Sequence, residues 1–137
     1  MIRWSINQQE GKKIKKEFFQ NIITTTFKVL KIYEADISIA IISESAIKKA
    51  NYLYKNKKEI TDVLSFVYEK KPLEGEVLIC YKRALKQAKE NKHGIEDEIK
   101  ILLVHALLHL AGYTHSRKQD ALKMKALENK ILQKLLN

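Results

Sequence analysis

The stretch Ile95–His115, IEDEIKILLVHALLHLAGYTH, decides how the rest of the chain is read. Ile99, Ile101, Leu102, Leu103, Val104, Leu107, Leu108 and Leu110 surround the axis of a helix over about residues 95–111 almost completely, the pattern of a helix buried on most sides. His105 and His109 interrupt it four residues apart, which puts both imidazoles on one face, one turn apart. Gly112 follows, a residue free to adopt the left-handed conformation that ends a helix and turns the chain back, and His115 comes just after it. Two ligands from a rigid helix and one from the returning loop make a tripod of neutral nitrogens. Zinc suits such a tripod and keeps a fourth coordination position open. A lone histidine in an apolar helix is more often a hydrogen-bonded core residue, whereas three within eleven residues, with a glycine between the second and third, point to one ion. His93, beside Gly94, reads as a loop or helix-end residue.

Outward from this helix, residues 81–91 and 117–136 read as two more helices. Upstream the pattern is that of a sheet. Asp36 to Ile42 alternates, with Ile37, Ile39 and Ile41 on one side and Ser38 and Ala40 on the other. Asp62 to Tyr68 and Gly75 to Cys80 are rich in strand formers and flank a turn signal at Lys71-Pro72, which predicts an antiparallel hairpin. Residues from about Arg3 to Gln8 form a candidate first strand. A helix over roughly residues 9–33 carries Ile14, Phe18, Ile22, Phe27 and Leu30 near one stripe, and Ser43 is a candidate N-cap for a helix over about 44–54.

The chain has 137 residues, no internal repeat and a single proline, Pro72, so it reads as one domain with no linker. Lysine plus arginine exceed aspartate plus glutamate by 26 to 16, a formal charge of +10 that favours polyanionic partners. The lysines recur at Lys12, Lys13, Lys15 and Lys16, at Lys55, Lys57 and Lys58, and from Lys82 to Lys92. Aromatic residues are not interleaved with them, so the sequence shows no base-stacking platform of the single-strand-binding kind. Cys80 is the only cysteine, which excludes an intramolecular disulfide and suits a reducing, cytoplasmic setting. No signal peptide or membrane span is visible, so a soluble protein is expected.

Three nitrogens on zinc lower the pKa of a bound water to about 7, so hydrolysis is the expected chemistry. The spacing of the histidines matches the long zinc-peptidase motif, which carries its general-base glutamate directly after the first histidine. Here that position is Ala106, and a peptidase of that mechanism cannot work without its base. A purely structural zinc site is disfavoured as well, because such sites are usually closed by four ligands.

The histidine stretch resembles the signature of the bacterial YbeY family of endoribonucleases, His-Gly-x-Leu-His-Leu-x-Gly-Tyr-Asp-His. The chain keeps His105, Leu108, His109, Leu110, Gly112, Tyr113 and His115. Thr61-Asp62-Val63-Leu64-Ser65-Phe66 is similar to a second block of that family, and Gly75-Glu76-Val77-Leu78-Ile79 to a third. The likeness extends into the last helix through Met124, Leu127, Glu128, Ile131 and Leu132 and covers roughly residue 36 to the end.

The resemblance implies an α+β single domain, with a small mixed sheet of about four strands packed with about five helices, and one zinc ion on His105, His109 and His115. It implies hydrolysis of single-stranded RNA by a metal-bound water, maturation of the 3′ end of small-subunit ribosomal RNA, and ribosome quality control. Its partners would be ribosomal RNA, the small ribosomal subunit and other assembly factors. A non-catalytic RNA-binding assembly factor with a structural metal is the alternative, and the same tripod serves hydrolysis of other phosphate or amide substrates.

The departures from the family pattern fall on chemistry. Lys55 stands where the family has an arginine that is thought important for catalysis. It keeps the charge without the two-pronged grip on phosphate, and reads either as a point charge on the substrate or as an exposed helix-end lysine. Ala106 replaces a glycine and Thr114 an aspartate. Glu76, aspartate in the family, reads as a carboxylate near the metal or as a strand-start residue. Asp62 reads as an orienter of a histidine N–H or as a turn cap.

Overall fold

The computed structural model describes residues 1–136, and its elements run β1 (Ile2–Gln8), α1 (Lys16–Leu30), β2 (Ala35–Ile42), α2 (Glu44–Lys55), β3 (Val63–Lys70), β4 (Leu73–Cys80), α3 (Tyr81–Glu90), α4 (Ile95–Leu110) and α5 (Lys118–Lys134). The four strands form one mixed sheet in the order β1-β2-β4-β3, with β1, β2 and β4 parallel and β3 antiparallel to β4. The expected hairpin is therefore present at one edge. The alternation in β2 divides the sheet into two faces: Ile37, Ile39 and Ile41 join the main core with residues of α1, α3, α4 and α5. On the opposite face α2 covers a smaller cluster of Ile42, Ile47, Leu64, Leu78 and Cys80. Ser43 caps α2 as its sequence predicts, its Oγ accepting from the Ala46 N–H at 3.2 Å.

The first helix differs from its expected span of 9–33. It starts at Lys16 because Gln8 holds the preceding segment as a loop: its Oε1 accepts from the Ile14 N–H, and its Nε2 donates to the carbonyls of Glu10 and Lys12. Periodicity alone cannot register a side chain that competes for backbone groups in this way.

Helix α4 is enclosed as its composition predicts, with Ile99, Leu103, Val104, Leu107 and Leu108 at 0% exposure. Its first turn carries Glu96, Asp97 and Glu98, which complement the positive end of the helix dipole. Glu98 is itself buried, and its Oε1 meets the Asn91 Nδ2 at 3.1 Å and the His93 Nε2 at 2.7 Å. His93 thus lies in the loop before α4 and pins that loop to the helix. At the other end the Tyr113 N–H donates to the Leu108 carbonyl and the Gly112 N–H to the His109 carbonyl, the bond pair of a Schellman motif, with Gly112 at φ +100°. Among the described residues no helix is long and apolar enough to cross a membrane.

The C-terminal turn of α4 rests directly on β4 at Gly75. A Cβ there would lie 2.9 Å from Leu110 Cδ2 and 2.9 Å from the Phe66 carbonyl oxygen. The backbone of β3 cannot yield without breaking its pairing with β4. Gly75→Ala is therefore expected to lower stability by about 1–3 kcal/mol, seen as a drop in urea midpoint at unchanged m value.

Candidate metal centre

His105 and His109 project from the last two turns of α4, and Gly112 returns the chain so that His115 faces them. One ligand atom from each lies within 4.8 Å of the others, and the ring centroids stand 4.6, 5.1 and 5.8 Å apart. The Nε2 atoms of His105 and His109 are 3.1 Å apart. A tetrahedral ion with bonds of about 2.05 Å keeps its nitrogen ligands about 3.3 Å apart, so this pair has the spacing an ion requires. Burial, followed by the proximity of His105 and His115, pushes the pKa of His109 below the usual histidine value. A depressed value keeps the imidazole neutral, the form that binds metal.

The carboxylate that orients this site comes from α5. Glu128 Oε2 lies 3.3 Å from His105 Nδ1, which fixes the proton on Nδ1 and turns the Nε2 lone pair toward the other two rings. Sequence reasoning placed Glu128 in a similarity block without giving it a role. It lies four residues after Met124 and three before Ile131, both buried, so it is a carboxylate on the apolar stripe of an otherwise polar helix. That placement was the available signal.

The histidines border a cleft of about 490 Å³ whose other walls come from the end of α2, the loop before β3 and the start of β3. Lys55, Lys57, Asn51, Glu59 and Asp62 line it. Asn51 is buried and ties the loop down, its Nδ2 donating to the Glu59 carbonyl at 3.0 Å. Asp62 accepts from Gln87 Nε2 at 3.1 Å and from Thr61 Oγ1 at 3.3 Å, while its carbonyl accepts from the Cys80 N–H. It orients no histidine. Lys55 reaches the cleft, with its Nζ 5.3 Å from the centroid of the Phe66 ring.

Glu76 is not brought to the histidines. It pairs with Phe66 across the β3–β4 ladder, and its Oε1 accepts a 2.8 Å hydrogen bond from the Tyr68 hydroxyl. The alternation of β4 explains the separation: Gly75 and Val77 face α4, so the intervening Glu76 points to the other face. Thr114 borders a larger apolar hollow on the far side of His109, bounded also by Tyr33, Val67 and Leu73.

Fold and site define a class: a small α+β domain whose three-histidine centre opens onto a cleft, the donor set of metal-assisted hydrolases. Residues 4–136 match the family model described as Endoribonuclease YbeY. The chain is 36% identical over 145 residues to Endoribonuclease YbeY of Finegoldia magna, covering 98% of this chain and 94% of the relative. With that of Persephonella marina it shares 35% identity over 143 residues, with the same coverage of both chains. A protein of Thermotoga maritima known from its solution structure superposes with a TM-score of 0.65 at 26% identity, covering 98% of this chain and 91% of that one. The chain belongs to the YbeY endoribonuclease family.

Two outcomes follow from the geometry. Glu128→Ala frees His105 to rotate and is expected to weaken metal binding about 10- to 100-fold with the fold retained, measured by competition with a chromophoric chelator. The bond from Tyr68 to Glu76, aided by partial burial, pushes the Tyr68 pKa up to about 12. Glu76→Gln removes the carboxylate that favours the protonated phenol, so the highest tyrosine transition in an ultraviolet titration should fall toward 10.

Proposed function

We propose that this chain is a zinc-dependent endoribonuclease specific for single strands, its residues 1–137 forming one catalytic domain. It acts in the cytoplasm on ribosomal RNA of the small subunit, in 3′-end maturation and in ribosome quality control, alongside other assembly factors. The observation that carries this reading is the convergence of three imidazoles in a cleft also lined by Lys55 and Lys57. The family match and the formal charge of +10 support it.

His105, His109 and His115 would hold the ion, and Glu128 keeps His105 in the binding tautomer. Zinc bound by three nitrogens supplies Lewis-acid polarisation and a water of lowered pKa. Lys55 and Lys57 hold phosphates of the strand as point charges, Lys55 standing in for the family's arginine. A proton released in the reaction has Glu59 and Asp62 as carboxylate acceptors in the cleft, with Asp62 held in place by Gln87 and Thr61. Ala106, in the wall of the same cleft, offers no base for peptide hydrolysis. Glu76 acts outside the cleft, through Tyr68.

Metal analysis paired with an RNA-cleavage assay tests the reading. The wild type should carry one zinc per chain and cut single-stranded RNA. Chelation and His109→Ala should each abolish cutting while the circular dichroism spectrum stays native. Cleavage that survives the loss of metal would sink the proposal. Unfolding on chelation, with no cleavage under any metal, would favour the non-catalytic assembly factor.

A further inference from the structure

The sequence offers no run of interleaved aromatic and basic residues, yet folding assembles such a surface beside the cleft. Tyr54, in the last turn of α2, meets Phe66 of β3 with ring centroids 5.3 Å apart and planes at 61°. Phe66 and Glu76 are direct partners across the ladder and so point to the same face, the one α2 covers in part. The pairing register of β3 shifts between Val67 and Glu69, and Tyr68, at that shift, reaches Glu76 with its hydroxyl. Tyr54 and Tyr68 are 70% and 65% exposed. Lys55 has its Nζ 5.3 Å from the Phe66 centroid while also lining the histidine cleft, so the aromatic patch and the cleft share a residue.

We propose that Tyr54, Phe66 and Tyr68 form a stacking platform for unpaired bases of an RNA strand leaving the histidine cleft, with Lys55 at the junction neutralising the phosphate between cleft and platform. This rests on the ribonuclease reading of the cleft. The exposed ring of Tyr54, braced by its edge contact with the partly buried Phe66, offers a face on which a flat heterocycle stacks. Stacking on aromatic side chains is tolerant of sequence, because every base has a π-face. It is closed to a duplex, whose bases already stack on one another, and so supplies a physical basis for single-strand preference.

Continuity with the cleft and its cations Lys55 and Lys57 favour a nucleic acid over a protein partner. Glu76 is a positioning residue here: its bond fixes the Tyr68 ring before RNA arrives, which reduces the ordering cost of binding.

The test uses metal-loaded protein and a phosphorothioate-protected single-stranded oligoribonucleotide carrying 2-aminopurine, whose fluorescence is quenched on stacking. Wild type should bind it with quenching. Tyr54→Leu and Tyr68→Leu, with native circular dichroism and metal content, should each weaken binding about 5- to 50-fold and lose part of the quenching. Tyr54→Phe should keep both. On a cleavable strand the leucine variants should raise KM and leave kcat nearly unchanged. Unaltered affinity and quenching in both leucine variants would overturn the platform, as would loss of a ribosomal-protein contact with RNA binding intact. Cutting at unchanged KM by Tyr54→Leu refutes the platform alone, while strong quenching by a wild type that never cuts refutes the ribonuclease reading alone.

Discussion

The burial of α4 around nearly its whole circumference is the constraint on which this protein depends. Each fully enclosed leucine or isoleucine is worth roughly 1.5–3 kcal/mol of transfer free energy, and close packing resists displacement as much as it stabilises. The consequence reaches the histidines because the last turn of the helix, carrying Leu110, is pressed onto β4 at a glycine. A side chain one residue from His109 is thereby seated against the face of the sheet. A metal centre needs its donors held within fractions of an ångström, and here the hydrophobic core supplies that stiffness.

The polar groups around the site extend the same logic. Burial disfavours the charged form of His109, and the neighbouring rings act in the same direction, which favours the neutral imidazole that a cation binds. Glu128 balances this from the other side of His105, contributed by a helix more than twenty residues further along the chain. Glu98 repeats the arrangement at the opposite end of α4, a buried carboxylate answered by His93 and Asn91. One helix is therefore anchored at both ends by a carboxylate–imidazole contact. The C-terminal one faces the cleft.

The edge hairpin carries a second division of labour. Its α4 face contributes Ser65 to the cleft, and its α2 face presents Phe66 and, at the register shift, Tyr68. Strand alternation sends neighbouring residues to opposite surfaces, so one short segment serves both. Lys55 joins the two surfaces because α2 ends at the rim where they meet.

Much of this was legible in the chain itself. Periodicity, strand-former content and cap and turn signals located the nine elements among the described residues, the apolar surround of residues 99–110 marked α4 as buried, and the spacing of His105, His109, Gly112 and His115 defined the donor set. Those features are local: each depends on residues a turn or a pleat apart. The start of α1, the partner of His105, the removal of Glu76 from the cleft and the gathering of Tyr54, Phe66 and Tyr68 were settled only by tertiary structure. Gln8 capturing a loop, Glu128 arriving from α5 and the facing of β4 are products of packing between segments far apart in sequence. Short-range pattern determines which side chains share a face, and only the packed fold determines what that face meets.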